Sequence, residues 1–484
     1  MTSKHELLQT VKDILSTTEA FVVGGAVRNR LLNRPILDFD IILPKDPSLY
    51  AKAMAEKLGG SFFPLDVERG VIRVSLSDGF HFDLAQRQGE FWADDLDRRD
   101  FSINALAVPM EHWAKRSWEK HLWDRHNGLM DLKKKQMNAI SKRVFQEDPL
   151  RLLRAFRIGG ELGFTLSKDT LALIKKNGRL IKKSAPERIR EEMLKIFSLP
   201  NSYETLMVLE QSGLLDVLLP EMKALRKTAP AYYGKGGVLT HILESIDCFE
   251  FVLNTLNLRF PKTHAKIKTY VSETKGGYPR LAHLKWALLL HDIGKAATAK
   301  KIGGRLRFFE HEHAGANRIP VIAPRFRWSN EETASYARLV RNHMRPGNLA
   351  THPDLTDKAM HRFFKDLEED AIGLLLLSLG DHLTYLTPRQ KKKRNSAHEK
   401  LVATMVNRYY LKKEKILPPK ILSGYDVMKA FRLSPSPLIG ELLKDLSEAQ
   451  TEKSIKTKEE AINYLKTRVA FFQEKAKAKA KKPQ

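Results

Sequence analysis

Short apolar runs mark the front of this chain, and helical spacing governs most of the remaining length. Leu7, Leu8, Val11, Ile14 and Leu15 fall at helical intervals and predict an amphipathic helix over 4–18. Phe21-Val22-Val23 reads as a short buried strand, Gly24-Gly25 as a turn, the residues around Arg28 and Arg30 as one basic helix, and Asp38 to Leu43 as a second strand. Pro47 to Leu58 reads as a helix. Runs at Ser61–Leu65, Val71–Leu76 and Phe80–Leu84 read as strands, with Ser77-Asp78-Gly79 as a hairpin turn. Phe145 to Arg157 has the pattern of a strongly amphipathic helix, and beyond Pro200 the pattern is helical throughout. The Lys-rich stretch 254–278 is expected to form an exposed insertion between helices. Lys475 to Gln484, mostly alternating Lys and Ala, is expected to be a disordered cationic tail.

Two of these elements carry candidate chemistry. Side chains alternate along a strand, so Asp38 and Asp40 project from one face. Adjacent carboxylates repel unless a cation neutralises them, and hard oxygen ligands suit Mg²⁺. The Gly24-Gly25 turn before a helix lets a phosphate approach the backbone. Together they point to metal-assisted nucleotidyl transfer; the alternative is a glycine turn with two solvated aspartates at a strand end. Asp83, on a neighbouring strand, would add a third carboxylate, although alone it reads equally as an exposed strand residue. Further on, Arg98, Arg99, Asp100 and Asn104 surround the apolar Phe101 and Ile103, a set able to hydrogen-bond a ribose and phosphates.

Composition narrows the partner. The chain has 484 residues, enough for about two to four domains. Lys and Arg number 83 against 57 acidic residues, a formal charge of +26, which favours a polyanion such as nucleic acid. No apolar run approaches a membrane span, so no membrane partner is expected. Cys248 is the only cysteine, excluding an intrachain disulfide; with no export signal at the front, the expected setting is the cytoplasm.

In order and spacing, Gly24-Gly25-x-Val27-Arg28, Asp38-x-Asp40 and Arg98-Arg99-Asp100-Phe101-x-Ile103-Asn104 resemble the head of the CCA-adding enzymes (tRNA nucleotidyltransferases) and their poly(A) polymerase relatives. The resemblance implies an α+β fold: a small mixed-sheet nucleotidyltransferase head related to DNA polymerase β, with an all-α neck and further helical domains after it. The implied boundaries are 1–137 for the head, 138–225 for the neck, 226–390 for a metal-binding helical domain, 391–470 for C-terminal helices and 471–484 for a basic tail. Asp38, Asp40 and Asp83 become the catalytic carboxylates, with Mg²⁺ on Asp38 and Asp40. Gly24, Gly25, Arg28, Arg98, Arg99, Asp100 and Asn104 become nucleotide-binding. Glu147-Asp148-x-x-Arg151 is similar to the family's protein template. On one helical face, Asp148 and Arg151 would pair with the base edge, and Arg154 and Arg157 would join the nucleotide site. Pro186 to Lys195 is similar to a motif that braces the neck.

A second constellation comprises His241, His291-Asp292-Ile293-Gly294-Lys295, His311, His343 and Asp381. It resembles the metal-ligand set of HD phosphohydrolase domains, which occur C-terminal to the neck in one bacterial branch of the CCA-adding enzymes. His311 is preferred to His313 on its flanks. Imidazole and carboxylate together suit a divalent first-row ion, Mn²⁺, Ni²⁺ or Co²⁺, or else Mg²⁺.

The implied activity is addition of C, A or both from CTP and ATP to the tRNA 3′ end at the acceptor stem, releasing pyrophosphate. Two features depart from the family. Asn29 replaces the usual Asp, which weakens a local salt bridge. The Asp83–Arg98 connection is also short, as in partial enzymes that add only CC or only A. Two alternatives remain: a poly(A) polymerase acting on general RNA, and an HD phosphohydrolase whose head merely binds RNA.

Overall fold

A computed structural model describes residues 4–67, 70–352, 355–453 and 455–480. The chain folds into two compact units. The first holds the residues up to Ile196 together with Glu204–Leu219, and the second holds Phe197–Tyr203 and everything from Pro220.

The first unit is built on a mixed seven-stranded sheet: β1 Phe21–Val23, β2 Asp38–Leu43, β3 Ser61–Asp66, β4 Val71–Ser75, β5 His81–Gln86, β6 Leu106–Pro109 and β7 Trp123–Asp124. Its order is β3-β4-β5-β2-β1-β6-β7, with β2 and β5 parallel. Alternation on β2 sends Phe39 and Ile41 into the core, where Phe39 stacks on Phe82 at 5.3 Å, and leaves Asp38 exposed and Asp40 half-buried on the opposite face. The register sets Asp40 opposite both Val23 of β1 and Asp83 of β5. The end of β1, and the glycine turn after it, therefore lie beside the carboxylates.

The amphipathic stretch expected over Phe145–Arg157 is not one helix. Val144–Glu147 forms a single turn, Asp148 is extended (φ −140°, ψ 100°), and the long helix is Arg151–Leu162. Pro149 is the cause, because its ring disfavours the helical conformation for the residue before it. Asp148 and Arg151 thus do not share a helical face. From Arg151 onward the period holds: Leu152, Leu153, Ala155, Phe156 and Ile158 are buried.

The second unit is almost entirely helical. Helix Arg280–Leu290 is buried nearly all round, Lys285 included, as befits a central helix. Its neighbours include Gly237–Asn254 and Ala371–Thr384. The 254–278 stretch is not an exposed insertion. Phe260, Ile267 and Tyr270 are buried, and the Tyr270 hydroxyl donates to the Glu369 carbonyl at 2.8 Å. Its lysines conceal an apolar set that one-dimensional composition averages away. Leu422, Val427, Ile439, Leu442, Leu446, Ala461 and Leu465 form a small C-terminal core. The helix from Lys458 continues to Ala480, through most of the expected disordered tail, because Ala and Lys are both good helix formers; residues 481–484 lie outside the described residues. No helix among the described residues is long and apolar enough to cross a membrane.

One buried ion pair organises this unit's core. The Lys285 ammonium donates to Glu250 Oε1 and to the Leu199 carbonyl, both at 2.6 Å, and Glu250 Oε1 also accepts from the Ser202 N–H and hydroxyl at 2.7 Å. Loss of water lowers the Lys285 pKa, and Glu250 opposes that loss. Removing one partner of a buried pair costs about 3–5 kcal/mol because the other charge is left uncompensated. Glu250→Ala should lower the calorimetric melting midpoint by several degrees. Lys285→Met should do less, since Glu250 keeps its Ser202 donors. An unchanged midpoint in Glu250→Ala would show the pair to be dispensable.

Candidate active and metal sites

The carboxylates of the first unit sit at the mouth of the glycine turn. Gly24 has φ +68°, a backbone conformation that favours glycine, and a Cβ there would lie 2.7 Å from Arg99 Nη1 and 3.2 Å from Asp40 Oδ2. Loss of water raises the Asp40 pKa. Asp83 and Asp38 add to the rise, and Arg99 opposes it. A carboxylate driven towards protonation by burial and like charge fits a cation site, and two hard oxygen donors from Asp38 and Asp40 fit Mg²⁺. Asp83 stands in register beside them, but Arg73 of β4 takes both its oxygens at 2.7 Å. Sequence reading missed Arg73. Its signal is a lone base in the otherwise apolar Val71-Ile72-Arg73-Val74, directly across from Asp83.

Behind the turn, a polar chain runs through the unit. Arg28 Nη1 donates to Asn104 Oδ1 at 2.6 Å, Asn104 Nδ2 to Asp100 Oδ1 at 2.9 Å, and Arg154 Nε and Nη2 to Asp100 Oδ2 at 2.9 and 2.8 Å. Burial alone would raise the Asp100 pKa, but Arg154 and Asn104 hold it at about 2. Asn29 accepts from Arg28 Nε and Nη2 at 3.1 and 3.0 Å, keeping the geometry of an ion pair without its charge. Burial accordingly lowers the Arg28 pKa to about 10.

The expected template residues are engaged within the protein. Asp148 Oδ2 accepts from Arg188 at 3.3 Å. Arg151 donates to Glu147 and the Val144 carbonyl, each at 3.3 Å, and to the carbonyl of the exposed Arg98. Arg157 donates to Glu192 at 2.7 Å and Glu161 at 2.8 Å. Arg151, Arg154 and Arg157 share the polar face of their helix, and Arg188 and Glu192 come from the Pro186–Ser198 helix, which thereby braces it.

In the second unit all six anticipated residues converge. His241 Nε2 lies 3.3 Å from Asp292 and 3.1 Å from Asp381. His291 Nε2 lies 3.3 Å from Asp292, His311 Nε2 3.2 Å and His343 Nε2 3.6 Å. Two groups, His241-His291-Asp292 and Asp292-His311-His343, each bring their ligand atoms within 4.8 Å of one another, with Asp292 in both. His313 is half-exposed and turned to Arg341, which leaves His311 as the member.

Hydrogen bonding orients the rings. His291, His311 and His343 each place Nδ1 on a carbonyl three residues back, Leu288, Phe308 and Val340, at 2.7, 2.8 and 2.7 Å. A carbonyl only accepts, so Nδ1 carries a proton in each ring and Nε2 is the atom turned to the cluster, where His311 Nε2 and His343 Nε2 stand 3.1 Å apart. Thr384 spends its hydroxyl proton on the Asp381 carbonyl, so it accepts from His241 Nδ1 at 3.1 Å and fixes the same tautomer there. His291 Nε2 and Asp292 Oδ1 are buried without a hydrogen bond. Inward lone pairs with nothing to accept from are what a divalent cation satisfies. Gly294 lets the elements meet, since a Cβ there would lie 2.1 Å from the His311 carbonyl. Sequence reading gave no role to Tyr233, whose hydroxyl accepts from Lys295 at 2.9 Å, while Lys295 also meets Asp292 at 2.6 Å.

Known proteins resemble this chain along most of its length. Residues 20–138 match the poly(A) polymerase head domain, and residues 163–225 match the probable RNA- and SrmB-binding site of polymerase A. The A-adding tRNA nucleotidyltransferase of Deinococcus radiodurans is 31% identical over 91% of this chain and 94% of its own. The CC-adding tRNA nucleotidyltransferase of Thermus thermophilus is 30% identical over 92% and 93%. A solved complex of a CCA-adding enzyme with ATP has the same fold, with a TM-score of 0.64 at 17% identity over 96% of this chain and 95% of that one.

The Asp100 network makes stability depend on acid. Its folded pKa of about 2 lies below the ordinary 3.8, so its contribution is complete above pH 3.8 and is lost as the pH falls through about 2. The shift corresponds to about 2 kcal/mol. The gap in melting midpoint between the parent and Asp100→Asn should narrow between pH 4.5 and 2 (roughly the span of the shift). A constant gap over that range would refute the assignment.

Proposed function

The chain belongs to the tRNA nucleotidyltransferase family, and we propose that it adds C, A or both from CTP and ATP to the 3′ end of tRNA, releasing pyrophosphate. The observation that carries this reading is similarity along more than nine-tenths of the chain to one enzyme named for A addition and another for CC addition. The division of labour follows the segments 1–137, 138–225, 226–390 and 391–470, with the acceptor stem held by basic helices through phosphate contacts.

The RNA 3′-hydroxyl gives up its proton to solvent and its oxygen forms a bond to the α-phosphorus, while the bond to the β-phosphate bridge breaks and pyrophosphate leaves. Asp38 and Asp40 would hold Mg²⁺, which supplies Lewis-acid charge for this displacement. The Gly24-Gly25 turn admits the triphosphate, with Arg28, Arg98, Arg99 and Asn104 as donors around it. Asp83 would join as a third ligand through the lone pairs that its bonds to Arg73 leave over. Asp148 and Arg151 read the base: a carboxylate accepts from the exocyclic amine of C or A, and a guanidinium donates to ring acceptors. To do so they exchange Arg188, Glu147 and the Arg98 carbonyl for the nucleotide.

Asp38→Ala and Asp40→Ala should each abolish incorporation while leaving tRNA affinity nearly unchanged. Substantial incorporation by Asp38→Ala with Mg²⁺ present would remove the metal assignment. Arg151→Ala should flatten the preference for CTP and ATP over UTP and GTP, since an unpaired base edge costs about 1–3 kcal/mol, or about tenfold to a few hundredfold. If the ranking of the four nucleotides is kept, the base is read elsewhere. Incubation with tRNA ending before CCA, before A, or complete, with each nucleotide separately, tests the extent of addition. The short Asp83–Arg98 connection favours CC-only or A-only addition. Efficient addition of all three nucleotides by this protein alone would refute that.

The His–Asp cluster supports a second activity, a divalent-metal phosphohydrolase trimming phosphorylated RNA 3′ ends, which would supply the free hydroxyl that the head requires. Phosphate release from phosphomonoesters and 2′,3′-cyclic nucleotides with Mn²⁺, Ni²⁺, Co²⁺ or Mg²⁺ should disappear in His291→Ala and Asp292→Ala and persist in Asp40→Ala. No turnover with any metal, or equal loss in Asp40→Ala, would eliminate it.

A further inference from the structure

Two sequence features stand outside the sites above: the Lys-rich stretch after Asn254 and the basic run Lys391–Arg394. In the second unit they meet. A cleft of about 250 Å³ is walled on one side by Leu258, Arg259 and Phe260 and on the other by Lys393, Arg394, Glu399 and Lys400. The Arg259 side chain is only 4% exposed. Its Nε donates to Thr255 Oγ1 at 3.0 Å and its Nη1 to Glu399, but Nη2 is buried without a partner. Glu399 is fully committed, since its other oxygen accepts from the Ser396 N–H and hydroxyl at 3.3 and 3.0 Å.

Charge then decides what the cleft takes. Four cations face one carboxylate, and that carboxylate is already bonded to one of them. Arg394 is held in the left-handed region (φ 50°) and donates to the Leu258 carbonyl at 2.9 Å, which ties the two walls together. Like charges gathered on a concave wall repel one another unless an anion joins them, and guanidinium and ammonium donors match a tetrahedral phosphate. The volume exceeds a single phosphate group.

We infer that this cleft is a phosphate-binding site, separate from the head and from the His–Asp cluster, formed where the 254–278 stretch meets the basic run. The phosphate belongs either to an RNA backbone or to the free ion. The site does not depend on which nucleotides the head adds.

The test uses the full chain with inorganic phosphate as the probe, by titration calorimetry at constant ionic strength with chloride as the reference anion. The parent and the double variant Asp40→Ala/Asp292→Ala should both show a saturable phosphate isotherm. Arg394→Gln/Lys400→Gln should lose at least tenfold in affinity (order of magnitude for lost charge-assisted bonds). Lys400→Gln alone, a change at an exposed helical position, should lose less and guards against misfolding. A second arm titrates tRNA across a salt series. If the cleft holds a backbone phosphate, the Arg394→Gln/Lys400→Gln variant weakens tRNA binding and its log–log salt slope falls by about one. If it holds the free ion, the tRNA titration stays at the parent value while the phosphate isotherm is lost. Phosphate and tRNA titrations that both match the parent in both variants would overturn the proposal.

Discussion

A charge taken out of water must be met by an opposite charge or by donors, because no single packing contact repays its desolvation. In the first unit that constraint converges on Asp100. Its carboxylate receives Arg154, Asn104 and its own neighbour's N–H, and Asn104 in turn receives Arg28 from behind the glycine turn. One buried anion thereby fixes the helix after the turn, the Arg98–Asn104 loop and the long helix Arg151–Leu162 against one another. Arg151 and Arg157 lie three residues either side of Arg154 on that helix, so anchoring Arg154 also sets their positions.

The second unit meets the same constraint in two ways. Glu250 and Lys285 pair with each other and also reach Ser202 and the Leu199 carbonyl, protein partners that make them structural. The cluster around Asp292 leaves lone pairs idle. Backbone carbonyls and Thr384 hold the four imidazole Nδ1 protons outward, so every Nε2 turns inward towards two carboxylates. Asp292 and Asp381 raise the His241 pKa against the effect of its burial, so the field of the two carboxylates favours a positive charge at the centre of the cluster. Polar groups satisfied only by a bound ion mark a site, whereas fully satisfied polar groups mark a scaffold.

The engaged state of Asp148 and Arg151 arises from the same logic. A template must present its polar edge to a base, yet those edges carry a cost whenever the base is absent. Arg188, Glu147 and the Arg98 carbonyl cover them in the meantime. Base reading is then an exchange of partners, and selectivity rests on how well the nucleotide replaces the internal bonds.

Much of this was legible in one dimension because it rests on period and local chemistry. The Asp38–Asp40 face comes from the pleat of a strand, Gly24 from a turn with positive φ, and His291-Asp292 from an adjacent pair at a helix end, while His241, His311, His343 and Asp381 were legible only through resemblance to a known ligand set. Pairing between distant segments was not legible. Arg73 on Asp83, Arg188 on Asp148, and the junction of Arg259 with Arg394 depend on strand register and helix packing, which the linear order does not encode. Besides the Lys–Ala tail that proved helical to Ala480, two local readings failed for physical reasons. Pro149 broke a helix that hydrophobic spacing alone would continue, and the lysines of 254–278 hid Phe260, Ile267 and Tyr270. Sequence determined which side chains could do chemistry; tertiary structure decided which charges they face, because a buried charge takes its partner from whatever the fold brings within about 3 Å.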